Sequence, residues 1–277
     1  MRINAYILAA ESTWIEASVL SYYYIVDTLV VSYDKNGRGW TGAKIDVEEC
    51  LDRLRVIDRD KKMLFRPGEY ARCDYEPMEN ETYQRQCAID DASKGVDWVL
   101  QIDTDEVLPN PNRLVDILKY AELRNIPAVE WPMRVLFRRL SDGRFLEVCA
   151  EDGSDRFEYP GPIAVRPGVK LVYARRTDSR FLVPIVMGDK SSPEIRWPKK
   201  INEYREELLN SEDVIVHNSW ARSPADLRCK IAAWGHNQGL RSWLYYYFFW
   251  LPAPYSWKYL HDFHPFIRGL WPALKPC

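Results

Sequence analysis

Residues 97–106 read Asp-Trp-Val-Leu-Gln-Ile-Asp-Thr-Asp-Glu, so two carboxylates one residue apart, Asp103 and Asp105, follow an apolar run of strand length. Such a pair suits a hard divalent cation. Mg²⁺ and Mn²⁺ take oxygen ligands, commonly one or two carboxylates, and complete the shell with water and substrate phosphates. A cation held there can neutralise a diphosphate leaving group, which is Lewis-acid chemistry. Far downstream, Val214-Ile-Val-His217-Asn-Ser-Trp220-Ala-Arg-Ser223 offers an imidazole at a second strand end, a donor better matched to Mn²⁺ than to Mg²⁺. Arg222 and Lys230 stand close enough in sequence to help neutralise phosphates, although cations in such positions are more often solvated surface charges. The plain alternative for the acidic pair is a loop or a helix cap, and for His217 a locally hydrogen-bonded structural histidine.

The elements that must position these groups alternate along the first half of the chain. Ile3 to Ala10 has strand length, and Thr13 with Glu16 forms a capping-box pattern that opens a helix to about Tyr23. Val26 to Tyr33 is rich in β-branched residues and stops at Asp34, before a glycine-containing loop over 35–42. A short strand is expected over Lys62 to Phe65. A helix from about Met78 to Lys94 is expected to bury Tyr83, Cys87, Ala88 and Ala92 and to close at Gly95. Trp98 to Ile102 is a buried-type strand, and Asn110-Pro111 starts a helix with Leu114, Leu118 and Ala121 on its inner face. This rhythm calls for an α/β fold, a mostly parallel sheet with helices on both faces, whose ligands bind outside the carboxyl ends of the strands. Glu11, Asp34, Asp103 and Asp105 all fall at such ends.

The texture changes after residue 126. Ala128 to Arg138 and Arg144 to Cys149 flank Leu140-Ser-Asp-Gly143, a hairpin turn, and Val169 to Arg175 and Asp213 to His217 read as further strands. Ser223-Pro224 opens a helix with Leu227, Ile231 and Trp234 on its apolar face. The last 38 residues hold 13 of the 37 aromatics and five charges. The chain thus divides into a domain over 1–239, in two halves (1–125 and 126–239), and an aromatic-rich helical extension over 240–277 packed on it.

Together these motifs resemble the GT-A (Rossmann-like) glycosyltransferases, closest to their family 2-like branch. Ala9-Ala10-Glu11 stands where that family often has Lys-Asn-Glu. Val26 to Asp34 resembles its second strand, whose terminal Asp contacts the nucleobase. Arg85, then Ala88-Ile-Asp-Asp91-Ala92, then Asp97 to Glu106 resembles its arginine-bearing helix leading into the Asp-x-Asp strand. The resemblance covers residues 2–120 well and the remainder loosely. It implies a nucleotide-sugar donor, UDP-linked by preference, held by Ala9, Glu11, Asp34, Arg85, Asp91, Asp103 and Thr104. It also implies Mn²⁺ or Mg²⁺ on Asp103, Asp105 and His217, and a glycan, lipid-linked or protein acceptor. Inverting transfer would need a carboxylate base, for which Glu151 and Asp152 are the candidates, with Asp155 behind them; retaining transfer would need none. Trp131, Trp197, Trp220 and Trp234 are each either core residues or stacking surfaces for an acceptor sugar. His236, His261 and His264 read as structural.

Composition bounds the partners. The 277 residues carry 38 Lys and Arg against 40 Asp and Glu, a net charge of −2 that argues against nucleic acid. Hydrophobic residues at 47 % and charged residues at 28 % are globular proportions. Six scattered cysteines read as reduced thiols, Glu11 interrupts the first apolar run too early for an export signal, and Pro252 and Pro254 break the longest charge-free stretch, Ser242 to Trp257. A cytoplasmic location follows as the expectation. Basic residues are sparse in the extension, which favours packing within the chain over contact with a membrane surface.

Two rival functions share the acidic pair. Asp103-Thr-Asp105-Glu-Val107 also fits the strand motif of haloacid-dehalogenase-type phosphatases, but that motif normally follows the first strand, whereas a hundred residues precede it here. A non-catalytic nucleotide-sugar or glycan binder on the same scaffold is the third reading.

Overall fold

The computed structural model describes residues 1–236 and 238–277. Four parallel strands build one half of a large sheet: β1 (Ile3–Leu8), β2 (Thr28–Asp34), β3 (Met63–Gly68) and β4 (Trp98–Gln101). β1 lies between β4 and β2, with Ala5 paired to Leu29 on one side and Leu100 on the other. All six of its residues are buried, as a strand covered on both faces must be. The crossovers are α1 (Ile15–Tyr22), α2 (Val47–Ile57) and α3 (Pro77–Ala92). β5 (Glu106–Val107) and α4 (Pro111–Leu123) follow the acidic pair, and Asn110 caps α4 by accepting from the Arg113 N–H.

The second half supplies β6 (Ala128–Glu130), β7 (Met133–Arg139), β8 (Phe145–Cys149) and β9 (Pro162–Val165). A small hairpin, β10 (Leu171–Tyr173) with β11 (Arg176–Thr177), precedes β12 (Phe181–Val186), α5 (Pro193–Arg196), β13 (Glu203–Leu209), β14 (Ile215–His217) and α6 (Pro224–Ala233). The main sheet runs β13-β12-β6-β9-β4-β1-β2-β3. Only β9 in it is reversed, antiparallel to both β4 and β6, so the α/β sheet is mixed and mostly parallel.

The chain ends with α7 (Leu240–Tyr245), a π-helical turn over Tyr246–Trp250, α8 (Ala253–Ser256) and β15 (Ala273–Pro276). β15 joins β8, β7, β14 and β5 in a second sheet. Between this sheet and the terminal helices lies a separate apolar core around Phe137, Trp220, Trp250 and Trp271. The buried Trp250 indole N–H donates to the carbonyls of Phe137 and Trp220, tying the terminal segment to the body. Among the described residues no helix is long and apolar enough to cross a membrane.

Three local expectations are corrected. The Thr13/Glu16 capping box does not form: α1 begins at Ile15, and Trp14 caps it without a side-chain bond. Helix α2 falls in a stretch with no helix expected from its residue pattern, and Asp46 caps it by accepting from the Glu49 N–H. Helix α3 buries Asn80, Glu81, Gln84 and Arg85 together with Ala88, Ile89 and Ala92, while Tyr83 turns outward under the Arg72 guanidinium, 4.0 Å from the ring centroid. Polar side chains tolerate burial there because each finds a partner, as described next.

Candidate functional site

A cleft of about 490 Å³ opens where β1, β2 and β4 end. Ala9, Ala10 and Glu11 line it from the end of β1, Asp34 from β2, and Asp103, Thr104 and Asp105 from β4. The polar face of α3 contributes Glu81, Gln84 and Arg85; His217 comes from β14, and Arg222, Lys230, Trp234 and His236 from the turn and helix that follow. The dimensions suit a ligand of nucleotide-sugar size.

Asp103 is a partly buried anchor. Its two oxygens accept from the Arg85 Nη1 and Nη2 groups, each at 2.8 Å, and Oδ2 also accepts from Arg175 Nη2 at 2.6 Å. Arg175 reaches on to Glu106, whose Oε2 accepts from the Asp103 N–H at 3.0 Å. Arg85 also donates through Nε to Glu81 at 3.0 Å. Burial alone would raise the Asp103 carboxyl, but Arg85 and Arg175 outweigh it and hold the group well below the usual carboxylate range. Three charge-assisted hydrogen bonds engage this carboxylate on the cleft wall.

Asp105 is divided between two kinds of partner. Oδ2 accepts from Arg222 Nη2 at 2.6 Å and Lys230 Nζ at 2.8 Å, while Oδ1 stands 3.8 Å from His217 Nε2. Burial raises this carboxyl; Lys230 and His217 overcome that and lower it. Arg222 also pairs with Glu11, and Glu11 accepts from Thr104 Oγ1 at 3.3 Å. Lys230 completes its shell with Ser219 Oγ at 2.7 Å. Expected from sequence to be ordinary solvated cations, Arg222 and Lys230 are in fact largely buried and face the cleft.

Among the described residues no three His, Cys, Asp or Glu side chains gather as a ready-made metal site. The pair Asp105 Oδ1 and His217 Nε2 nevertheless fits a shared cation. Two ligands each about 2.1 Å from one ion lie at most about 4.2 Å apart, and ions such as Mg²⁺ usually fill the remaining positions with substrate phosphates and water. His217 Nδ1 is buried and finds no hydrogen-bond partner among the described residues. Carboxylates outnumber lysines and arginines on the cleft walls, so an anionic ligand there calls for added positive charge.

Asp34 sits where a nucleobase contact was expected, but its carboxylate is occupied by backbone. Oδ1 accepts from the N–H groups of Asn36 and Arg38, and Oδ2 from those of Tyr70 and Ala71, at 2.9 to 3.3 Å. Its side chain fixes the loops after β2 and β3, and on the cleft wall beside it Trp40 donates to Gln84 at 2.7 Å.

Three predicted residues lie elsewhere. Asp91 is outside the cleft, on the far part of α3, 3.9 Å from Arg66. Glu151 and Asp152 occupy an exposed turn closed by Gly153 at φ +83°, where Asp152 accepts from Ser154 N–H and Oγ. They border a different depression with Arg156 and Arg196 and are not among the residues lining the cleft. Of the four tryptophans considered for an acceptor surface, only Trp234 lines the cleft; Trp131 and Trp220 are core, and Trp197 is exposed away from it. Sequence reasoning misses Arg175 entirely and reads His236, which lines the cleft, as structural. Arg175 gives no local signal, because its partners Asp103 and Glu106 lie about seventy residues earlier. Scanned against protein-family models the chain matches none, and a search of curated proteins returns no match, so its functional reading rests on the cleft itself.

Proposed function

We propose that the protein is a GT-A-type glycosyltransferase that moves a sugar from a nucleotide-sugar donor, UDP-linked by preference, to a hydroxyl of a glycan, lipid-linked or protein acceptor. One observation carries this reading: Asp105, His217, Arg222 and Lys230 converge at the end of β4, on the wall of a cleft bounded by the ends of β1 and β2. The nucleoside would lie along the strand ends near Ala9, Ala10 and Trp40. Its diphosphate would meet Lys230 and Arg222, which would trade part of their hold on Asp105 for phosphate oxygens. Mn²⁺ or Mg²⁺, held by Asp105 and His217, would supply Lewis-acid stabilisation of the departing diphosphate. The acceptor oxygen would bond to the anomeric carbon as the bond from that carbon to the diphosphate oxygen breaks, through an oxocarbenium-like transition state, the nucleoside diphosphate departing and the hydroxyl proton passing to it or to water. Asp103 acts at one remove, holding Arg85 and Arg175 beside the site.

The phosphatase reading is disfavoured by Asp103 itself. A nucleophilic carboxylate must present an oxygen to phosphorus, and both oxygens here are held by guanidinium groups.

Thermal unfolding with UDP, GDP, TDP or CMP, each with and without Mn²⁺ or Mg²⁺, tests the proposal. A native-state ligand at a hundredfold over its dissociation constant stabilises by about 2.7 kcal/mol. A metal-dependent rise for one nucleotide, followed by release of that nucleotide from its sugar conjugate, supports transfer. Binding without turnover would leave the non-catalytic binder, and no rise with any nucleotide would sink both.

A further inference from the structure

The segment from Leu240 to Tyr259 carries large apolar side chains on opposite sides, yet only one side of it is covered. Tyr245, Tyr246, Trp250 and Ala253 pack into the second core. The other side exposes Leu240, Leu244, Tyr247, Phe248, Leu251 and Tyr255, with Phe248 69 % and Tyr255 91 % accessible. The π-helical turn, in which the Leu251 N–H donates to the Tyr246 carbonyl at 2.9 Å, lies in the middle of this stretch. A helix apolar on all sides is ordinarily buried on all sides, and a monomer rarely leaves a patch of this extent bare.

We propose that this outer face lies on the surface of an anionic lipid bilayer. The side-chain types fit an interface: leucine and phenylalanine reach the acyl boundary, while the tyrosine hydroxyls remain at headgroup level. The charges fit as well. No Asp or Glu occurs from residue 227 to 261, whereas Arg241 and Lys258 are exposed within the segment. The terminal segment has no helix long enough to span, so the association is peripheral. Packing within the chain accounts for one face of the segment and lipid would cover the other, whether or not the protein is a transferase.

Flotation of the full-length protein with vesicles tests it, comparing phosphatidylcholine alone with phosphatidylcholine and phosphatidylglycerol at about 7:3 in about 0.1 M salt. The protein should float with the anionic vesicles at least tenfold more strongly than with the neutral ones. The Phe248→Ser/Tyr255→Ser double variant should lose flotation with its unfolding midpoint intact, since both side chains are exposed. The Arg241→Glu/Lys258→Glu variant should lose the preference for anionic lipid. Equal or absent flotation on the two vesicle types would overturn the proposal. So would a dimer in light scattering that the Phe248/Tyr255 substitutions dissociate, which would assign the face to a second copy of the chain.

Discussion

Lys230 Nζ lies 2.8 Å from Asp105 Oδ2, and His217 Nε2 stands 3.8 Å from the other oxygen of the same carboxylate. One buried anion is therefore shared between a fixed pair of cations and an imidazole that faces the cleft. Replacing Asp105 with Ala takes from the largely buried Lys230 its carboxylate partner and from Arg222 one of its two, Glu11 remaining. The expected loss, read by urea unfolding, is about 3–5 kcal/mol, with a smaller loss for Asp105→Asn. A loss under about 1 kcal/mol would show that the cations relax to solvent at no cost.

Lys230→Met separates stability from binding. Arg222 still pairs with Asp105 in that variant, so folding should suffer less than in Asp105→Ala. Affinity for the nucleotide identified by unfolding should drop at least tenfold in calorimetry, about 1.4 kcal/mol, because the ammonium that would meet a phosphate is gone. Unchanged affinity would remove Lys230 from the diphosphate site.

Glu151→Gln combined with Asp152→Asn should leave nucleotide affinity and donor turnover as they are. Both side chains are exposed on a turn bordering a separate depression. A large fall in turnover at unchanged affinity would restore one of them to the reaction.

Glu130 governs part of the pH dependence of folding. Burial, reinforced by Glu194, pushes its carboxyl up to about 8, whereas an unfolded chain gives a glutamate about 4.3. Between those values the unfolded state releases the proton while the folded state keeps it, so the native protein loses stability as pH rises through that window and levels off above it. Glu130→Gln should match the wild type near pH 4 and exceed it by at least about 1 kcal/mol at pH 8 in urea unfolding. A difference independent of pH would mean that Glu130 is ionised in the fold.

The parts of the site written locally are legible in the amino-acid sequence. An apolar strand that ends in acid reads directly, as at Trp98 to Asp105, because strand length and burial leave a period that sequence carries. Asn110-Pro111 and Ser223-Pro224 likewise mark the starts of α4 and α6. What sequence does not show is set by distance or by burial of polar groups. β9 and β12 each contain a proline, Pro162 and Pro184, and β13 is mostly charged, so none of the three has the apolar alternation that marks a strand. The inner face of α3 is Asn80, Glu81, Gln84 and Arg85, a set that looks solvated until Asp103 and Trp40 are brought against it. Asp34 and Asp103 follow the same rule. Their positions at strand ends can be read locally, but Tyr70 and Ala71 on Asp34, and Arg85 and Arg175 on Asp103, arrive from other segments.

The four backbone N–H groups gathered on Asp34 bear on how a ligand would pay its entropy. The loops after β2 and β3 are already cross-tied by one side chain before anything enters the cleft, so ordering them consumes none of the binding free energy. Association at that end should behave as docking onto a finished wall, with a heat-capacity change set by the apolar area covered and no additional contribution from folding of the loops.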